Sequence, residues 1–272
     1  MIRLFHVSDV HFGAEDPAAI AWFARLVAAE QPDAVVMTGD LTMRARPSEF
    51  EAGRAWLLSL EVPTTVEVGN HDIPYYTDPF RRIFRPYHRY AALEALIERP
   101  LDLPGVAIIP LKTTARAQFR IDQSKGRVSL HALEQALERI AAVPPGKRIL
   151  VAAHHPLVEA GFPETAGTRG GAQALAALAA AGVDAVLTGH VHDPFDVAFP
   201  VAGHEIRLIG AGTLSTRTRL SPPAFNELLI EADSLSTIVR TLSPEPDQML
   251  PVIPAADAAH SVLTGAPVFV RR

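Results

Sequence analysis

The sequence predicts an α/β domain built from layered sheets. Short apolar runs of β type alternate with stretches of helical spacing over most of the chain, and polar clusters stand directly after the apolar runs. Alternating strand and helix signals mean a sheet with helices packed against it. With 48% apolar and 20% charged residues in a chain of 272, there is material for one large core.

Residues 2–7 read as a strand, and 17–30 as a helix carrying Ile20, Phe23, Leu26 and Val27 at helical spacing. Strand 34–37, helix 48–60 and strand 64–68 follow. Between residue 73 and about 103 the alternation breaks into a segment rich in Arg, aromatic residues and Pro, which reads as an inserted helical cap. Strand 106–111, helix 131–142, strand 149–153, helix 172–181 and strand 185–187 resume the pattern. Beyond these, 195–199, 205–209, 225–230 and 237–242 are expected to form a second, mainly antiparallel sheet of their own. The expected domain is 1–242 with its cap at about 73–103, followed by an irregular Pro-rich extension at 243–272.

Composition narrows the function classes. No cysteine is present, so disulfides, thiolate nucleophiles, thiolate zinc sites and iron–sulfur clusters are excluded. Any metal must be held by His, Asp, Glu or Asn. The formal charge of −5 lacks the broad basic footprint of a duplex binder, so nucleic acid is not the expected partner. The most apolar stretch, 172–183, falls short of the roughly 20 residues a bilayer span needs. Residues 1–8 enter a strand without a leader pattern, so a cytoplasmic location is expected.

Five polar clusters follow strands, where open α/β sheets place their ligands. They are Asp9-Val10-His11, Gly39-Asp40, Gly69-Asn70-His71-Asp72, His154-His155-Pro156 and Gly189-His190-Val191-His192. A lone Gly-Asp or His-Pro is usually a turn. Asp-x-His and His-x-His are more telling, because alternation along an extended segment points both side chains the same way. Imidazoles and carboxylates suit borderline-to-hard ions, and two ions about 3.5–4 Å apart need a carboxylate between them. Asp9, His11, Asp40, Asn70, His154, His190 and His192 supply such a set.

In this order the five blocks resemble the calcineurin-like metallophosphoesterases. Ser8-Asp9-Val10-His11-Phe12, Thr38-Gly39-Asp40-Leu41-Thr42 and Gly210-Ala211-Gly212-Thr213 are most similar to the class III cyclic-nucleotide phosphodiesterases and their bacterial relatives. Ser215-Thr216-Arg217-Thr218-Arg219 and Pro223-Ala224-Phe225-Asn226 resemble a subgroup of those relatives.

The resemblance implies a four-layer α/β/β/α sandwich of two mixed sheets with a helical cap. It assigns Asp9, His11, Asp40 and His192 to one ion and Asp40, Asn70, His154 and His190 to the other, with Asp40 bridging. The ions implied are divalent or mixed-valence manganese, iron or zinc. His71 would meet the scissile group together with Asn70, stabilising transition-state charge or protonating the leaving oxygen. Asp72 would orient the His71 ring. His155 is a neighbour of the ligands, in a supporting or packing role.

The implied activity is hydrolysis of a small phosphodiester, with metal-activated hydroxide attacking phosphorus in line. A cyclic nucleotide is one candidate substrate. Phosphoprotein phosphatases of this superfamily carry Asp-Arg-Gly soon after their Gly-Asp, whereas Gly39-Asp40 is followed here by Leu41-Thr42-Met43, which favours the diesterase branch. A phosphomonoesterase, a nuclease and a hydrolase of phospholipids or nucleotide-linked lipids use the same blocks. A non-enzymatic scaffold is the remaining class, and it would be expected to have lost ligands. A homo-oligomer is compatible with all of these.

Arg81, Arg85 and Arg89 recur at helical spacing, although Pro86 interrupts them. They either line the mouth of the site or form a solvated face with Phe80, Phe84 and Tyr87 turned inward. Arg44, Arg46 and Arg116 follow strands and are further candidates to meet a phosphate, with no distance fixed by the sequence.

Overall fold

The computed structural model describes residues 1–74, 78–97, 101, 103–115, 125–161, 167–243 and 250–251. Strand β1 (Ile2–Val7) is mostly apolar and largely buried on both faces, as a central strand between two layers must be. It pairs in parallel with β2 (Ala34–Met37), which pairs in parallel with β3 (Thr64–Val66). Helices α1 (Pro17–Glu30) and α2 (Pro47–Ser59) make the crossovers. Each starts on a proline, whose missing N–H costs nothing in the first turn. The Asp16 carboxylate accepts N–H groups of Ala18 and Ala19 and so caps α1.

Among its described residues the insertion holds two helices, α3 (Pro79–Phe84) and α4 (His88–Ile97). Arg81, Arg85 and Arg89 therefore do not share one helix, because the chain leaves helical geometry at Arg85, ahead of Pro86. Tyr90 and Leu93 on α4 join the core beneath α2. The orientation of α3 is the reverse of an inward aromatic face. Phe80 and Phe84 are 69% and 67% exposed and stack on each other at 4.8 Å, while Tyr87 is half-buried. Arg82 takes the inward position, its buried guanidinium donating to the Pro74 carbonyl at 2.7 Å.

The second sheet is built from β4 (Val106–Pro110), β5 (Arg148–Ala152), β6 (Ala185–Thr188), β7 (Phe195–Val201) and β8 (His204–Gly210), in spatial order β4-β5-β6-β8-β7. Only the β7–β8 pair is antiparallel. Helices α5 (Leu130–Ala141) and α6 (Gly171–Ala180) cover its outer face.

The late strands do not form a sheet of their own. After β7 and β8 join the second sheet, β9 (Ala224–Ile230) returns to lie antiparallel to β1, followed by β10 (Leu235–Thr241) and the short β11 (Leu250–Pro251). Burial explains the division. Leu228 and Ile230 of β9 face Ile2, Leu4 and Val36 from their own sheet and Leu150, Leu187 and Ile209 from the other. A strand apolar on both faces needs a layer on each side. The layers are helices, sheet, sheet and helices, with one core between the sheets and one under each helical layer. Among the described residues no helix is long and apolar enough to cross a membrane. Arg116 and most of the expected Pro-rich extension (244–249 and 252–272) lie outside the described residues.

Candidate metal centre

The loops leaving β1, β2, β3, β5 and β6 meet at one end of the two sheets. There the seven side chains singled out in the sequence converge. Asp9, His11, Asp40, His154 and His192 are buried, and Asn70 and His190 are partly buried.

The backbone at this end is unusual. Asp9, His11, Asp40, His190 and His192 have φ between 51° and 68°, the left-handed region that side-chain-bearing residues seldom adopt. Such conformations cost about 1–3 kcal/mol each and persist where surrounding structure enforces them. Asp9 and His11 thus aim inward from a tight left-handed path and not from extended alternation. Two glycines permit the approach of the loops. A Cβ on Gly69 would lie 2.0 Å from Asp40 Oδ1, and one on Gly189 would lie 1.8 Å from Ser8 Oγ.

The donors fall into two groups that share Asp40. In the first, His192 Nε2 lies 3.0 Å from Asp9 Oδ1, and His11 Nε2 lies 3.6 Å from the same oxygen and 3.2 Å from His192 Nε2. In the second, His154 Nε2 is 3.1 Å from Asn70 Oδ1 and 3.3 Å from Asp40 Oδ2. That Asp40 oxygen is also 3.8 Å from His11 Nε2, so it faces both groups. His190 stacks edge-on to His154 at 5.3 Å, and its backbone N–H donates to Asp9 Oδ2.

Second contacts fix the rings. Backbone carbonyls accept from Nδ1 of His11 (Thr42, 3.3 Å), His154 (Thr38, 2.8 Å) and His192 (Arg217, 2.7 Å). A carbonyl only accepts, so Nδ1 carries the proton and Nε2 presents a lone pair to the centre when the ring is neutral. Asp9 Oδ1 is buried without a hydrogen-bond partner. Facing imidazole lone pairs and an orphaned carboxylate oxygen are what a cation would complete, and this donor set suits manganese, iron or zinc.

The electrostatics agree. Burial opposes charge on Asp9, yet His192, His11 and His154 hold its carboxyl well below the usual range. Asp40 is likewise depressed despite burial, chiefly by His154 and His71. Burial also opposes a proton on His154, but Asp40 outweighs it and pushes the ring up to about 9. His192 is raised in the same way by Asp9. Burial, with His154, pushes His190 down to about 3. Protons thus balance the two carboxylates when no ion is present, and metal binding must displace them.

One residue beside the ligands departs from its expected role. Asp72 does not orient His71: its carboxyl accepts N–H from Leu41, Thr42 and Gly69, tying the Asp40 loop to the Asn70 turn. Burial, reinforced by Asp40, raises its pKa to about 6. The His71 ring is set by the Met43 carbonyl, 2.7 Å from Nδ1, and the His71 backbone N–H donates to Asp40 Oδ1 at 2.8 Å. His155 hydrogen-bonds Thr113 Oγ1 at 2.9 Å and stands close enough to His154 and His190 for all three rings to reach one ion.

Arg81, Arg85 and Arg89 line a cavity of about 330 Å³ between the insertion and α2, with Asp72 in its wall. Arg217, to which the sequence assigned no role, reaches the His11–His71 edge of the centre at 3.2 Å and 3.4 Å. Its only sequence signal is the Ser215–Arg219 stretch resembling a subgroup of relatives.

Residues 2–194 match the model of the calcineurin-like phosphoesterase family. The SbcD component of the nuclease SbcCD from Staphylococcus epidermidis is 24% identical over 220 residues, covering 72% of this chain and 58% of that protein. A probable glycerophosphodiester phosphodiesterase GpdQ of Arcobacter nitrofigilis is 30% identical over 135 residues, covering 48% of this chain and 45% of that one. The chain therefore spans about half the length of these curated relatives. Among solved structures, a dimetal phosphatase from Danio rerio shares the fold with a TM-score of 0.63 at 13% identity, over 93% of this chain and 99% of that one.

Proposed function

This chain belongs to the calcineurin-like phosphoesterase family, and we propose that it hydrolyses small phosphodiesters at a centre of two metal ions. The observation that carries the reading is Asp40 Oδ2, which faces His154 at 3.3 Å and His11 at 3.8 Å and so stands between a donor of each group. Asp9, His11, His192 and Asp40 would hold one ion. Asp40, Asn70, His154 and His190 would hold the other.

When bound, such ions supply Lewis acidity, polarising a phosphoryl oxygen and bringing the pKa of water toward neutrality. The chain's own residues do the rest. The Thr38, Thr42 and Arg217 carbonyls keep the three Nδ1–H groups occupied, so each Nε2 stays aimed at the centre. Asp72 holds the Asp40 loop against the Asn70 turn, which keeps the bridging carboxylate in register with both groups. His71, partly exposed at the edge, keeps Nε2 directed at the mouth through its bond to the Met43 carbonyl. From there it meets an ester oxygen with Asn70, and once protonated it delivers a proton to the leaving oxygen.

The diester preference is supported by the GpdQ relative's name and by the absence of an Asp-Arg-Gly block after Gly39-Asp40. The test is the manganese-loaded protein on bis(p-nitrophenyl) phosphate and p-nitrophenyl phosphate. A higher kcat/KM for the diester is expected. A reversed preference assigns the centre to monoesters, and no cleavage of either overturns the reading.

A further inference from the structure

We propose that Arg217 grips the phosphoryl oxygens of the substrate, an assignment that rests on the phosphodiesterase reading above. Arg217 lies 25 residues after His192 and outside the five blocks, and the sequence from Ser215 to Arg219 is otherwise an irregular loop.

That loop is tied to the centre at both ends and braced within itself. Thr213 Oγ1 donates to the Asp9 carbonyl, Ser215 N–H to Thr213 Oγ1, and Arg217 N–H to Ser215 Oγ. The Arg217 carbonyl accepts from His192 Nδ1. Its main chain thus belongs to the support of a candidate ligand, and its side chain is free to do something else.

The guanidinium crosses the mouth. Nη1 lies 3.2 Å from His11 Nε2, 3.4 Å from His71 Nε2 and 3.8 Å from Met43 Sδ. A guanidinium only donates and is always charged. Both imidazoles have Nδ1 directed at a carbonyl, so Nε2 is the acceptor in each contact. His11 Nε2, however, is a candidate metal donor, and one lone pair serves one partner. With an ion on His11 the guanidinium loses that acceptor while the loop still holds it at the mouth. The acceptors that fit there are anionic phosphoryl oxygens, which a planar fork binds two at a time. Beside it stands the group already proposed to meet the ester, His71. Arg217 also supplies a permanent positive charge on the open side of a chain whose net charge is −5.

The experiment compares wild type, Arg217→Gln and Arg217→Lys as manganese-loaded proteins. Metal content is measured by elemental analysis, inorganic phosphate affinity by calorimetry, and KM and kcat on bis(p-nitrophenyl) phosphate. Both variants should keep their metal, because His192 is held by a main-chain carbonyl. Phosphate affinity should fall roughly 10- to 100-fold in Arg217→Gln, the range for losing a charged hydrogen bond. Arg217→Lys should recover part of it, with charge kept and the fork lost. KM should rise in parallel.

Unchanged phosphate affinity in Arg217→Gln overturns the proposal and leaves the phosphoesterase reading standing. Loss of metal in step with phosphate also overturns it, since the side chain would then serve the ions and not the substrate. Wild-type protein that neither binds phosphate nor cleaves the diester removes both.

Discussion

Glu227 on β9 and Asp9 just after the neighbouring β1 are carboxylates shut away from water, 4% and 0% exposed, but their partners differ in kind. Glu227 accepts from Arg3 Nε at 2.6 Å and Arg240 Nη1 at 2.9 Å, and Arg240 and Arg3 both also pair with Glu30. Two carboxylates meet two guanidiniums, and the cluster is neutral from its own chain. Asp9 and Asp40 are surrounded instead by imidazoles, whose charge is conditional on a proton. Among the described residues no Lys or Arg pairs with either aspartate. The backbone differs too: ordinary strand around Glu227, left-handed residues around Asp9 and Asp40. A buried charge cluster that the chain completes by itself is a fastening. One left short of permanent positive charge, in strained backbone, is a receptor for cations.

Asp40→Ala removes the carboxylate that faces both donor groups. If Asp40 joins both donor groups, the purified variant should retain at most one equivalent of metal and lose the several kcal/mol that the ions supply, roughly a 10³-fold fall in kcat or more. Two equivalents found by elemental analysis would remove the bridging role.

Glu227→Ala tests the other side. It strands Arg240 and Arg3 beside a single remaining carboxylate and should destabilise the fold by roughly 3 kcal/mol in urea titration, with metal content unchanged. Metal loss in a variant that remains folded would mean the two clusters are not independent.

His6 sharpens the contrast at smaller scale. This fully buried imidazole lies 2.9 Å from Thr38 Oγ1 and 3.4 Å from Asn226 Nδ2. Burial, only partly offset by Asp9, pushes its pKa down to about 3 from 6.5. A histidine depressed on folding stabilises the native state above pH 6.5 and loses that contribution as pH falls toward 3. At pH 5 the loss is roughly 2 kcal/mol. The fall in urea midpoint between pH 7.5 and pH 5 should therefore be smaller in His6→Gln than in wild type, and equal falls would exclude His6 as the responsible group.

Much of this is legible before folding. Helix 17–30 and strands 2–7 and 34–37 are read to the residue, because period-3.6 and buried-strand patterns are local and Asp16-Pro17 marks a helix start. Which residues are able to act as donors is also legible, since donor chemistry belongs to the residue type. His71's ring partner is not: a backbone carbonyl from Met43 has no sequence signature, whereas the adjacent Asp72 invites the wrong assignment. The α3 aromatics fail for a related reason. Helical spacing shows that Phe80 and Phe84 share a face and that Arg82 lies on another, but which face turns inward depends on where the Pro74 carbonyl waits for a cation.

By itself the sequence determined the layered α/β class, the five clusters at strand ends and a thiol-free set of nitrogen and oxygen donors, all consequences of composition and short-range period. Tertiary structure decided that β9 returns to β1, that Asp40 faces two groups at once, and that Arg217 reaches His11 across 206 positions and His71 across 146. The reason is range: side-chain periodicity reports which faces are apolar, while the partner for each face is chosen by burial among all the faces the folded chain offers.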